Sequence, residues 1–174
     1  MKKVAVFGNA GAGKSTTSKK LAALTGLELY VLDKVKFSAG GAEVPHQQYL
    51  TAHAEILAKN EWLIDGYGCL ESTWTRLAEA DTLVYIDLPI QVHFWWVSKR
   101  FLKGLFQPPQ GWPENTPLLK STINSYRVLW LCHKKLTPAY RKYVAEAAKT
   151  KTLYHLRSKA DIASFLQSIT KTSR

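Results

Sequence analysis

Cysteine is scarce in this 174-residue sequence. Only Cys69 and Cys132 occur, far apart and without C-x-x-C spacing. That excludes a disulfide framework and argues against a zinc site, leaving reduced thiols in a cytoplasmic chain as the expectation. No run approaches the ~20 apolar residues of a membrane span. Acid is scarce in the second half: residues 89–174 hold 3 Asp+Glu against 15 Lys+Arg, whereas residues 1–88 hold 10 against 9. Arginine is scarce in the first half, where Arg76 is the only one before residue 100. Repeats, low-complexity tracts and linkers are absent, so one domain over residues 1–174 is expected.

The basic half is compatible with nucleic acid, with a membrane surface, with a polyanionic substrate, or with plain solvated helix surface. Its charges are spread rather than blocked, which favours the last two. No recognition-helix signature, zinc spacing or basic arm supports nucleic acid as a partner. Oligomeric state is left open.

What is present begins with Gly8-Asn9-Ala10-Gly11-Ala12-Gly13-Lys14-Ser15, a match to G-x-x-x-x-G-K-[ST]. Val4-Ala5-Val6-Phe7 leads into it as a strand, not a signal peptide. A polar run, residues 15–24, follows as a helix capped by Gly26. In that context glycines let successive N–H groups turn inward on a polyphosphate, and the helix N-terminus adds its dipole. Gly8, Ala10, Gly11, Ala12, Gly13, Lys14, Ser15 and Thr16 are therefore the candidate ATP-phosphate residues. Lys14 reaches the β- and γ-phosphates and the Ser15 hydroxyl completes a Mg²⁺ shell.

Residues 27–32 read as a second strand with Asp33 at its end, where ligands of open α/β sheets sit. Asp33 either takes a proton from an acceptor hydroxyl, or touches Mg²⁺ through water, or caps the next segment. Residues 34–44 read as a mobile connection, and Pro45 opens a helix with apolar positions Tyr49, Leu50, His53, Ile56 and Leu57. The acceptor-binding segment is placed at 34–60. Trp62-Leu63-Ile64-Asp65-Gly66-Tyr67 is a third strand whose terminal Asp65 supports the metal through water, with Gly66 and Tyr67 facing the acceptor. Arg76, on the helix over 70–80, is read as an acceptor phosphate clamp or as an ion-pair partner of Glu79.

Residues 81–89 form a fourth strand ending in Asp87, a second magnesium-linked candidate with a structural role favoured. Phe94-Trp95-Trp96-Val97, on the helix over 90–102, reads as core rather than as a base-stacking platform. Residues 103–115 are rich in Gly and Pro, and a lid is placed at 99–117, carrying Arg100. Thr116-Pro117 and Thr137-Pro138 each resemble an N-cap with its first helical proline, predicting helices over 118–136 and 139–149. Arg127 is the second cationic clamp expected on the transferred phosphoryl, and Arg141 lies on the later helix. A fifth strand over 151–156 precedes Arg157 and Ser158, the expected base-side turn. Ser158 and Asp161 have capping-box spacing, and Ile162, Phe165, Leu166 and Ile169 line a final helix.

Taken together, the phosphate loop, the Leu32-Asp33 strand end and the Leu63-Ile64-Asp65-Gly66-Tyr67 segment resemble the adenylate kinases. With Asp81-to-Pro89 and Leu156-Arg157-Ser158, the whole chain is similar to the small adenylate kinase-like proteins described as DNA topology modulation or flagellar-regulator-related proteins. The resemblance implies an α/β, three-layer P-loop fold of the nucleoside-monophosphate-kinase type. It implies a five-stranded parallel sheet ordered 2-3-1-4-5, helices on both faces, a small lid, ATP and Mg²⁺ as cofactors, and a separate acceptor site.

Departures narrow it. Asp65-Gly66-Tyr67 continues as Gly68-Cys69-Leu70, without the proline and arginine of adenylate kinases, and their T-G-D-M-x-R segment is absent. Asp33 also resembles the substrate-hydroxyl carboxylate of shikimate-type kinases. The expected function is a Mg²⁺-dependent kinase acting on a nucleoside monophosphate or a hydroxylated metabolite. The alternative is a nucleotide-regulated, DNA-binding topology modulator using the basic half.

Overall fold

The computed structural model describes residues 1–38, 42–104 and 118–172. Strand β1 (Lys3–Gly8) shows how the sequence builds the layers. Val4 and Val6 join one buried cluster, and Ala5 and Phe7 join the other. A strand turns successive side chains to opposite faces, so a fully buried strand must be apolar on both. Strands β3 (Trp62–Asp65) and β4 (Thr82–Ile86) repeat this: Trp62, Ile64, Leu83 and Tyr85 lie on one face, Leu63, Val84 and Ile86 on the other.

With β2 (Leu29–Val31) and β5 (Thr152–Leu156), these strands form one sheet ordered β2-β3-β1-β4-β5, every pairing parallel. The expected order and strand sense are what the chain adopts. Strand β2 is shorter than the predicted 27–32, because helix α2 (Leu32–Lys36) begins at Leu32 and carries Asp33 in its first turn. The expected mobile connection thus starts as helix, and Phe37 and Glu43 form an isolated antiparallel bridge.

Helices cover both faces. α3 (His46–Ala58), α4 (Leu70–Glu79) and α6 (Leu118–Ala147) supply Ile56, Leu57, Leu77, Tyr140 and Val144 to one cluster. α1 (Lys14–Thr25) and α7 (Lys159–Thr172) supply Leu21, Phe165 and Ile169 to the other. α5 (Ile90–Gly104) contributes Val92 and Trp96 to the edge of that second cluster.

Two predicted helices prove to be one. α6 runs through Pro138 instead of breaking before it. Leu129, Leu136, Tyr140, Val144 and Ala147 continue one inward stripe across the proline. That shared burial outweighs the roughly 3 kcal/mol cost of an interior proline. The aromatic cluster on α5 is also only partly core. Val97 is buried, but Trp95 is 61% exposed and Phe94 stacks on Tyr126 of α6, 5.5 Å between centroids. Among the described residues, no helix is long and apolar enough to cross a membrane.

Candidate active site

The carboxyl ends of β1, β2 and β3 open onto a cleft of about 510 Å³. Its floor is the phosphate loop, with Gly8, Ala10, Gly11, Lys14 and Ser15 among the lining residues. Gly8 lies at φ 147°, and a Cβ there would run into the Ile86 carbonyl, so the turn from β1 into the loop demands glycine. Gly13, at φ 78°, is the N-cap of α1, which leaves that helix's first N–H groups facing outward without a side-chain cap.

Two residues tie the loop to its surroundings. Asn9 is buried; its Oδ1 accepts from the Ala10 N–H at 2.7 Å, and its Nδ2 donates to the Leu129 carbonyl of α6 at 3.4 Å. His93 of α5, also buried, places Nδ1 3.0 Å from the Ala10 carbonyl and Nε2 3.1 Å from the Leu88 carbonyl. Burial pulls the His93 pKa below the ordinary histidine value, although both carbonyls favour the charged ring. Neither residue was singled out from the sequence, where a lone Asn or His carries no periodic signal.

Lys14 donates from Nζ to the Asn9 carbonyl at 2.9 Å. Burial lowers its pKa, while Asp65 and Asp33 pull it back up, so both carboxylates lie within electrostatic reach of the ammonium. Strand pairing explains the convergence. Val31 of β2 is in register with Asp65 of β3, and Asp33 follows two residues later. Asp33, Asp65, Gly66 and Tyr67, four of the expected site residues, all line the cleft. Asp65 is fully buried, and neither of its carboxylate oxygens has a hydrogen-bond partner among the described residues. Buried carboxylates are ordinarily paired or metal-linked, so this one marks a site that expects a ligand.

The donors suit Mg²⁺. The Ser15 hydroxyl and a carboxylate acting through water are hard oxygen donors, the kind Mg²⁺ takes alongside substrate phosphates. No group of three His, Cys, Asp or Glu side chains that could cage a metal occurs among the described residues.

Other expected site residues fall elsewhere. Arg76 is neither an exposed clamp nor a Glu79 partner. It is 1% exposed, and its guanidinium donates to the Gly66 carbonyl at 2.6 Å and to the Tyr67 carbonyl at 3.2 Å. Its fork holds the loop that follows Asp65. Arg127 is exposed on α6 and is not among the residues lining the cleft. The Arg100 side chain and residues 105–117 of the expected lid lie outside the described residues.

Asp87 is paired away from the cleft. Arg141 grips it through Nε–Oδ2 at 2.9 Å and Nη2–Oδ1 at 3.0 Å, and the His155 Nε2 lies 3.0 Å from Oδ2. This cluster and Arg157 line a separate groove of about 700 Å³.

A smaller recess of about 380 Å³ adjoins the phosphate loop, lined by Gly11, Gly13, Thr16, Thr17, Trp96, Lys159 and Ile162. Lys159 Nζ sits 5.3 Å from the Trp96 ring centroid. Neither expected base-side residue, Arg157 or Ser158, is among the lining residues of this recess. Arg157 faces the Asp87 groove, and Ser158 caps α7 by accepting from the Asp161 N–H at 3.0 Å. The residues that do border the loop are Trp96 and Lys159.

The opposite wall of the main cleft was not foreseen. Val128, Leu131, Cys132 and Leu136 project from α6 at helical spacing, facing the phosphate loop and the two aspartates. Their period is visible in the sequence, but which helix closes a cleft is not.

No protein-family model and no curated protein matches the chain. Among solved structures it is similar to a shikimate kinase from Acinetobacter baumannii in complex with shikimate. The TM-score is 0.60 at 16% identity, over 99% of this chain and 92% of that one. The chain therefore shares that enzyme's fold: five parallel strands ordered 2-3-1-4-5 between helical layers, with the glycine-rich loop after the first strand.

Proposed function

We propose that this chain is a small P-loop kinase that transfers the γ-phosphoryl of ATP to a hydroxyl of a small acceptor. The observation that carries the reading is the cleft itself. Asp65, buried and without a hydrogen-bond partner among the described residues, and the exposed Asp33 share one cavity with Lys14 and Ser15 of a phosphate loop. The likeness in fold to a kinase of small molecules supports it.

The loop N–H groups and the N-terminus of α1 bind the polyphosphate, and Lys14 places its charge between the β- and γ-phosphates. Ser15, with Asp65 acting through water, would hold Mg²⁺, which when bound neutralises charge on the phosphate oxygens. Asp33 orients the acceptor hydroxyl and takes its proton as the oxygen bonds to the γ-phosphorus and the bond to the β-phosphate oxygen breaks. ADP leaves. Arg76 acts as a positioning residue, fixing Gly66 and Tyr67 at the acceptor side. Arg100 and Arg127 are the proposed clamps from the lid side, and Trp96 with Lys159 forms the proposed base recess. We place residues 1–174 in one catalytic domain.

The test is transfer of label from γ-labelled ATP with Mg²⁺, comparing the unaltered chain with Lys14→Ala and Asp33→Asn. Loss in the first variant with retained ATP binding in the second is expected. Undiminished transfer by Lys14→Ala would sink the mechanism.

The segments quoted above also support kinship with the DNA-topology-modulation group of adenylate kinase-like proteins. The DNA-binding alternative draws little from the fold, because part of the basic half is engaged internally. Arg141 pairs with Asp87, Lys149 with Glu146, and Lys151 donates to the Ala80 carbonyl.

A further inference from the structure

We infer that the acceptor is an uncharged alcohol with an apolar body, held between Asp33 and the apolar face of α6. This rests on the kinase reading above and narrows its substrate.

The acceptor half of the cleft has two unlike sides. From the strand ends and the turns after them come Asp33, Asp65, Gly66 and Tyr67; from α6 come Val128, Leu131, Cys132 and Leu136. Val128 is 41% exposed, Leu131 45% and Tyr67 42%, so this apolar surface meets solvent until something covers it. Positions 128, 131, 132 and 136 fall on one helical face, and that face looks into the cavity rather than away from the protein. An unfilled apolar wall opposite a hydroxyl-orienting carboxylate fits a molecule with a hydrocarbon side and one polar end.

Charge points the same way. Among the described residues lining the cleft, Lys14 is the one cation, and the ATP phosphates claim it. The nearby Arg76 is spent on the carbonyls of Gly66 and Tyr67. A carboxylated or phosphorylated acceptor would be pressed against two aspartates and four apolar or weakly polar side chains. A charge taken from water into such surroundings without a partner is strongly disfavoured. A neutral alcohol pays no such cost. Its hydroxyl meets Asp33, its carbon chain covers the α6 wall, and a ring stacks on Tyr67. The reaction is unchanged: the alcohol oxygen bonds to the γ-phosphorus, its proton passes to Asp33, and ADP leaves.

The experiment offers the full chain Mg²⁺ and γ-labelled ATP with matched acceptors: hexan-1-ol against 6-hydroxyhexanoate, 3-phenylpropan-1-ol against 4-(hydroxymethyl)benzoate, and AMP. Label is expected in the neutral alcohols, with kcat/KM at least tenfold above that of their carboxylated partners. It should rise roughly fourfold per added CH₂ along a homologous series. Leu131→Lys should reverse the preference within each pair.

A second readout needs no turnover. Cys132 lines the cleft and Cys69 does not, so 3-phenylpropan-1-ol should slow alkylation of Cys132 relative to Cys69, and the carboxylated partners should not.

Preferred transfer to 6-hydroxyhexanoate, 4-(hydroxymethyl)benzoate or AMP overturns this inference and leaves the kinase reading standing. So does the absence of transfer to every neutral alcohol while ATP is bound and Cys132 stays unprotected. Failure of the chain to bind ATP removes the kinase reading itself.

Discussion

Arg76 donates from Nη2 to the Gly66 carbonyl at 2.6 Å, spanning ten residues to hold the turn that follows Asp65. The same guanidinium reaches the Tyr67 carbonyl at 3.2 Å, and its Nε has no partner among the described residues. Packing below it is equally tight. Gly68, at φ 68°, leaves no room for a Cβ against the Tyr49 hydroxyl, which is itself 2.7 Å from Ser72 Oγ.

Replacing Arg76 by Met removes a charged donor from one buried and one part-buried carbonyl while keeping most of the side-chain volume. Hydrogen bonds to charged groups contribute about 1.5–3 kcal/mol each, and stranded acceptors add their own cost. We expect Arg76→Met to lose roughly 2–4 kcal/mol in urea unfolding. A loss under about 0.5 kcal/mol would show that the loop holds its shape without the fork.

Lys14 is the cation at the meeting point of loop, Asp65 and Asp33. In the proposed reaction its truncation removes one preorganised charge from the transferred phosphoryl, an effect typically about 10²–10³-fold in kcat. Lys14→Ala should show that loss in label transfer while its far-UV circular dichroism stays that of the unaltered chain. A loss of secondary structure would mean that Lys14 serves the fold first.

His53 is buried against Tyr49, ring centroids 6.1 Å apart, with Nε2 unpartnered among the described residues. Burial, reinforced by the neighbouring Arg76 charge, lowers its pKa from 6.5 to about 4. The unfolded chain therefore binds a proton near pH 6.5 that the folded chain refuses until about pH 4. Between those values the unfolded state holds more protons, so stability rises with pH and is lost on acidification. The full window amounts to about 3 kcal/mol. His53→Phe should remove that part of the pH dependence between pH 7 and 4.5 in paired urea titrations. An unchanged slope would place the ring in contact with water.

Asp87 loses stability in the same direction, for a different reason. Burial works against its charge, but the bonds from Arg141 and His155 prevail and hold it below the usual carboxylate range. Its stabilisation is present above the unfolded carboxylate pKa and lost as pH falls through the lower folded value. Arg141 is half exposed, so solvent screens much of the pair. Arg141→Ala should cost about 1–2 kcal/mol at pH 7, and the gap from the unaltered chain should close as pH falls through the lowered folded value. A gap that persists there would assign the cost to lost packing rather than to charge.

The phosphate loop and the three buried strands were legible before any coordinates, because their signals are local. Only glycine tolerates the left-handed turns at Gly11 and Gly13, and strands covered on both faces must be apolar at every position. Asp33 and Asp65 were placed for the same reason, since a residue ending a parallel strand lies at the ligand-bearing edge. Thr137-Pro138 misled because a cap and an interior proline look alike until the stripe from Leu129 to Ala147 is seen to be continuous. The remaining assignments depended on partners distant in sequence. Arg76 reads as an acceptor clamp or a Glu79 partner until the Gly66–Tyr67 loop folds over it, and the structural role favoured for Asp87 has no partner until Arg141, 54 residues away, grips it. Leu131 carries no signal in the sequence, and its place in the cleft appears only when α6 lies beside the phosphate loop. The sequence by itself determined the loop, the strands and the residues that stand at their ends. Tertiary packing alone decided which charges were spent on the fold and which faced the cleft, because a side chain's partner depends on where the whole chain brings it.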